Sequence, residues 1–165
     1  MTATDAPQPT QRPLPVPTPE TAHFWEGTAN HTLLLQRCDD CAKAYFPPRP
    51  FCPACGCRSV SVFEASGEAT LHSYVINQRP GPGFDGPVAI AVVELAEGPR
   101  LMTNIVDCDQ TEEALVLDMA LEATYAAFVS SDGRHAATLP LFRPASGATE
   151  TSETTGDSSN TGDAA

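Results

Sequence analysis

Basic side chains are scarce. The 165-residue chain holds nine Lys plus Arg against 21 Asp plus Glu, a formal charge of −12. Between residues 18 and 145 there are eight basic residues against sixteen acids, with no basic run. A body of that sign repels phosphate backbones and disfavours nucleic acid as a partner. Also missing is any apolar segment approaching the ~18 residues of a membrane-spanning helix, so no membrane association is expected. The first residues lack the positive flank and apolar core of a secretory signal. These absences predict a cytoplasmic protein in a reducing compartment, where free thiols persist. Catalytic signatures are absent too. There is no Gly-x-Ser-x-Gly elbow, Walker loop or His-Glu-x-x-His.

Both ends are poor in core-forming residues. Residues 1–17 are rich in proline, and residues 146–165 are Ser, Thr, Gly, Ala and acid. Neither can bury enough apolar surface to offset the entropy of ordering, so both are expected to be disordered tails. What remains, residues 18–145, suffices for one modest core.

Cysteine, by contrast, is present in a pattern. Cys38-Asp39-Asp40-Cys41 is followed after ten residues by Cys52-Pro53-Ala54-Cys55. Two residues between cysteines let both thiolates turn toward one point, and the loop brings the second pair opposite the first. This is zinc-ribbon spacing, with Cys38, Cys41, Cys52 and Cys55 as ligands of a structural Zn²⁺. Gly56 follows the second pair, where a sharp bend favours a residue that tolerates positive φ, whereas Ala42 stands at the matching place after the first. Lys43 and Arg49 can offset the charge of four thiolates, and Tyr45-Phe46 is expected to keep the site dry. Cys57 and Cys108 are read as free thiols.

The remaining chain reads as a short helical segment and then strands. Thr18-Pro19-Glu20 looks like a helix start, with Phe24 and Trp25 on a helix ending near Gly27. Residues 32–36 (TLLLQ) lead into the first knuckle. Residues 59–63 and 69–78 alternate as strands do, and 79–87 is a Pro- and Gly-rich loop. Residues 88–95 and 101–106 form a hairpin across Glu97-Gly98-Pro99. Residues 114–129 fit both a period of two and a helical stripe, and Thr111-Glu112-Glu113 would start a helix. Residues 137–143 read as a closing edge strand, because Pro140 cannot donate to a central ladder. About five short strands after a ribbon suggest a small barrel. The expected protein is thus mostly β: a helical segment at 18–33, a zinc ribbon at 34–60 and a barrel at 61–145. No catalytic residue is assigned. Of His23, His31, His72 and His135, only His72 falls on a predicted core strand. Asp107 and Asp109 flank Cys108 and would raise its pKa.

The order Phe24-Trp25, Arg37-Cys38-x-x-Cys41, Phe46-Pro47-Pro48-Arg49 and Cys52-Pro53-x-Cys55 resembles the DUF35 family. The resemblance continues through Gly67, the Pro-Gly loop, Val93-Glu94-Leu95-x-Glu97-Gly98-Pro99-Arg100 and Phe142-Arg143-Pro144, covering about residues 18–145. It implies a rubredoxin-like ribbon and a C-terminal five-stranded OB-fold, with 114–129 as the fourth barrel strand. One departure is Asp118-Met119-Ala120-Leu121, where family members often carry a Gly-Met-Pro-Val-like entry.

The resemblance also implies a role. Such chains act with thiolase-superfamily enzymes on CoA thioesters, among them aldolases that cut steroid side chains. The expected partner is a thiolase-like or lipid-transfer-protein-type aldolase that holds the catalytic residues, with acyl-CoA as a shared ligand. For that ligand the candidate contacts are Arg49, Arg79, Gly81, Gly83, Phe84 and Arg100, since arginines suit the phosphates and glycines allow close backbone approach. Alternatively, Arg100 pairs with Glu94 and the loop packs on the partner. The competing functions are a stand-alone nucleic-acid-binding or acyl-CoA-binding OB-fold module.

Overall fold

The computed structural model describes residues 8–10, 13–130 and 132–146. The elements are α1 (Ala22–Ala29) and the strands β1 (Gln8–Thr10), β2 (Leu34–Cys38), β3 (Ala44–Tyr45), β4 (Val60–Glu64), β5 (Glu68–Asn77), β6 (Val88–Leu95), β7 (Arg100–Ile105), β8 (Ala120–Ser130) and β9 (Ala136–Pro144). Of the two expected disordered tails, residues 1–7, 11–12 and 147–165 lie outside the described residues. Gln8–Thr10 pairs in parallel with Phe128–Ser130, so this stretch of the N-terminal segment is a strand.

Five strands close a barrel in the order β5-β6-β7-β9-β8 and back to β5. Alternation builds it. Ala89, Ala91, Val93 and Leu95 of β6 face inward beside Leu101, Thr103 and Ile105 of β7, while the residues alternating with them face out. Small alanines leave room for Phe142, which is fully buried. The β6–β7 hairpin turns at Gly98 (φ 99°), whose N–H reaches the Leu95 carbonyl at 2.8 Å. The expected edge strand β9 has a neighbour on each side. It pairs with β8 along its length and meets β7 in parallel at Ile105–Phe142. Pro140 is tolerated because it lies outside that short parallel ladder, and its carbonyl accepts the Thr103 hydroxyl at 3.0 Å.

The ambiguous segment divides. Residues 112–114 and 117–118 are turns, and the strand begins only at Ala120. No helix follows Thr111. Its hydroxyl and carbonyl accept the Ala114 and Leu115 N–H groups, and the chain then leaves. Asp118 takes φ 64° at the unusual strand entry, a left-handed conformation that aspartate tolerates. Its N–H bonds the Leu71 carbonyl at 2.8 Å, where β5 shifts register between Leu71 and Ser73.

A second, three-stranded sheet runs β3-β2-β4. Val60–Glu64 pairs along its length with Leu34–Cys38. α1 starts after Thr21 rather than Thr18; Thr18 instead opens a single turn, in which the Thr21 N–H bonds the Thr18 carbonyl at 3.0 Å and the Thr21 hydroxyl accepts the Thr18 N–H at 2.9 Å. Phe24 then packs with Leu33, Leu35 and the barrel core. Gly27 allows the close approach of helix and strand. A Cβ there would lie 2.7 Å from Leu34 Cγ and 2.8 Å from the Thr32 carbonyl. Backbone cannot yield cheaply, so Gly27→Ala should cost about 1–3 kcal/mol in chemical denaturation; an unchanged midpoint would contradict this packing.

Candidate metal centre

The two Cys-x-x-Cys turns are built alike. Ala42 N–H bonds the Cys38 carbonyl and Gly56 N–H the Cys52 carbonyl, both at 2.9 Å. The residue closing each turn is left-handed, Ala42 at φ 57° and Gly56 at φ 76°. Ala42 therefore carries the strain that Gly56 avoids, about 1–2 kcal/mol for a side-chain-bearing residue. Further bonds fix the knuckles to each other and to the sheet. Cys38 N–H donates to Lys43, Cys52 N–H to Cys57 and Asp39 N–H to Ser59, at 3.1, 2.8 and 3.1 Å.

These turns bring Cys38, Cys41, Cys52 and Cys55 together, with all four sulfurs within 4.8 Å of one another. Cys38 and Cys55 are 3.6 Å apart, and Cys41 and Cys52 are 3.7 Å apart. A tetrahedron of Zn–S bonds near 2.3 Å has an edge of about 3.8 Å, whereas a disulfide requires about 2.05 Å. All four cysteines are free thiols. The donor set therefore fits a four-coordinate metal of zinc type and leaves no position open for water. Cys38 and Cys52 are buried while Cys41 and Cys55 face solvent.

Ionisation is divided unevenly. Burial opposes the Cys52 thiolate, but the Cys55 and Ala54 N–H groups and the neighbouring thiols outweigh it and bring the pKa down to about 7. The Cys57 N–H favours a thiolate at Cys55; nevertheless the thiols of Cys38, Cys41 and Cys52, with burial, push Cys55 up to about 12. Four sulfurs this close cannot all be anionic without a cation among them.

Of the predicted aromatic cover, only Tyr45 serves the cluster. It is buried against Cys38 and Cys52, with its hydroxyl donating to the Arg49 carbonyl at 3.3 Å. Phe46 turns the other way and packs on Phe24, ring centroids 5.1 Å apart. Gln36 was not singled out from the sequence. It is buried, and its Oε1 accepts the Arg49 N–H at 2.7 Å, tying the proline-rich loop to β2. A polar residue closing the apolar run 32–36 was the available signal.

Cys57 packs beside the quartet but is not one of its members. The Ser59 N–H favours its thiolate, yet burial and the charges of Asp40 and Cys38 raise its pKa. Cys108 is raised chiefly by burial, then by Asp109 and Asp107. His135 Nε2 lies 2.7 Å from the Pro15 carbonyl, and His31 stacks on Tyr125. His72 is exposed at the β5 irregularity.

The candidate acyl-CoA residues lie on three elements. Arg79, Gly81, Gly83 and Phe84 share the β5–β6 loop, Arg49 sits in the ribbon and Arg100 begins β7. Gly83 has φ 91°, and nothing crowds a Cβ at Gly81. Arg100 Nε meets Glu94 Oε2 at 2.7 Å, with both side chains about half exposed.

Two family models match consecutive parts of the chain: the ChsH2 rubredoxin-like zinc ribbon domain at residues 25–61 and the ChsH2 C-terminal OB-fold domain at residues 63–126. A DUF35 domain-containing scaffold protein of Methanothermobacter thermautotrophicus is 34% identical over 94 residues, covering 54% of this chain and 71% of the relative. A probable enoyl-CoA hydratase alpha subunit of Thermomonospora curvata is 34% identical over 135 residues, covering 81% of this chain. The chain spans only 40% of that relative's length. Among solved structures, a chain of the Ltp2-ChsH2(DUF35) aldolase superposes with TM-score 0.66 at 32% identity, covering 79% of this chain and 98% of that one.

Replacing a buried sulfur should be decisive for the metal. The wild-type chain should purify with one zinc equivalent, and Cys52→Ser should purify without it and melt at lower temperature. Because the metal-bound quartet holds fewer protons than the free one, with Cys55 raised to about 12, acid favours the free form. Zinc retained against a fixed chelator should therefore fall as pH falls; retention independent of pH would contradict a thiolate site. The cysteine quartet, the closed barrel beside it and these likenesses agree: the chain belongs to the DUF35 family.

Proposed function

We propose that the chain is the accessory subunit of a hetero-oligomeric enzyme acting on acyl-CoA. In this reading Cys38, Cys41, Cys52 and Cys55 hold one structural Zn²⁺ that fixes the ribbon, and the barrel provides a rigid surface. A thiolase-like or lipid-transfer-protein-type aldolase supplies the catalytic residues for making or breaking a carbon–carbon bond, with steroid side-chain cleavage as the most concrete reaction. The observation that carries the reading is the full-length likeness to a chain of an aldolase assembly, 98% covered at 32% identity. A second relative, 34% identical over 110 residues, is the 3-oxo-4,17-pregnadiene-20-carboxyl-CoA hydratase alpha subunit of Mycobacterium tuberculosis, of which this chain spans 34%.

The chemistry of this chain is consistent with a supporting role. Its Cys108 thiol is held protonated by burial and by Asp109 and Asp107, which makes a poor nucleophile. Acyl-CoA would be shared with the partner through Arg79, Gly81, Gly83 and Phe84 of the open loop, with Arg49 and Arg100. Arg100 must first leave Glu94, at a cost of about 1 kcal/mol or less for so exposed a pair. Co-expression with the thiolase-type subunit should yield one stable complex by size exclusion, and acyl-CoA cleavage should require both chains. A partner that is soluble and fully active alone would overturn the proposal.

A further inference from the structure

The outer face of β5, β6 and β7 carries an apolar stripe. The register sets Val75 opposite Ile90 and Val92 opposite Met102. Ile90 and Val92 are two residues apart on one strand and so share a face. Met102 is 72% exposed, Val75 58% and Ile90 37%. This is a contiguous row across three strands rather than scattered single residues. At its Met102 end the stripe opens into a groove of about 350 Å³ between barrel, helix and ribbon, lined by Trp25, Phe46, Pro48 and Leu139 among others. At its Val75 end it borders a cleft that Glu112 and Glu113 also line. The ionised pair on the face, Glu94 and Arg100, neutralises itself.

The charges and side chains discriminate among occupants. Single-stranded nucleic acid needs cations and aromatic stacking platforms on this face of an OB-fold, and here the stripe is aliphatic and thioether. A second copy would bring its own net charge of −12 against this one. An apolar surface with basic side chains beside it is complementary both to the stripe and to these acids. Met102, unbranched and adaptable, suits the centre of such a contact. We propose that Val75, Ile90, Val92 and Met102, continued by the groove at Trp25 and Pro48, seat an apolar ridge of the catalytic subunit, whose basic side chains face Glu112 and Glu113. This rests on the accessory-subunit reading and adds to it the face used and the charge of the partner.

The test uses the full chain co-purified with the thiolase-type subunit. Met102→Glu and Ile90→Glu, with zinc content and melting temperature unchanged, should each weaken the complex about tenfold or more. The double change Glu112→Lys, Glu113→Lys should slow association and reduce its salt dependence. Val62→Glu, at an exposed apolar position on the ribbon sheet, should leave the affinity unchanged. A complex that tolerates Met102→Glu and Ile90→Glu, or that is lost equally with Val62→Glu, overturns the assigned face and leaves the accessory role standing. Absence of any complex with the wild-type chain overturns both. Wild-type binding to a single-stranded oligonucleotide that Met102→Glu abolishes would give the face to nucleic acid instead.

Discussion

Four thiols held within 4.8 Å of one another are the constraint on which the rest of the molecule depends. Uncompensated, such a cluster resists ionisation and shares protons unevenly. With a soft divalent cation among them, all four become thiolates and the two knuckles lock. The consequence reaches beyond the ribbon because β2 belongs to two cores. Its Cys38 end is buried in the cluster with Tyr45 and Cys52, while Leu35, three residues earlier, is buried in the barrel core with Phe24 and Phe142. β4 carries the same register back, and the Ala65 N–H returns to the Leu33 carbonyl at 2.8 Å. Fixing the sulfurs therefore fixes where α1 and the barrel sit.

The barrel is the complementary half of the design. It closes through one parallel contact at Ile105–Phe142, and the fully buried Phe142 ring occupies the interior left by alanines 89 and 91. Polar side chains patch the places where ladders end. Gln110 accepts the Ala89 N–H at 2.6 Å and donates to the Cys108 carbonyl at 3.0 Å, while Asn104 donates to the Ala89 carbonyl at 2.9 Å. Buried backbone groups are thus satisfied without extending any strand. The result is a closed barrel with an apolar outer stripe.

Much of this was legible in the residues. Cys-x-x-Cys spacing is local, so the gathering of Cys38, Cys41, Cys52 and Cys55 could be read directly, and the 88–105 hairpin followed from two apolar runs and a Gly-Pro turn. The misreadings have specific causes. Tyr45 and Phe46 are neighbours in extended chain and point to opposite sides, so they could not both cover the sulfurs. The pairing of residues 60–64 with β2 spans the whole ribbon, and pairing at that separation leaves no local mark in the sequence. Residues 114–129 satisfied two periods because turns occupy the first part, where Leu115 is buried without belonging to either element. The Thr18 signal marks a real turn, but that turn closes at Thr21 and the α-helix begins only after it. The proposed subunit role came from family resemblance, since neither composition nor spacing names a partner.

The most direct measurement is zinc K-edge X-ray absorption on the purified full chain. Four sulfur scatterers at about 2.3 Å, with no lighter ligand, are predicted for the quartet of Cys38, Cys41, Cys52 and Cys55. A first shell containing oxygen or nitrogen, or a folded chain that gives no zinc signal at all, would contradict it.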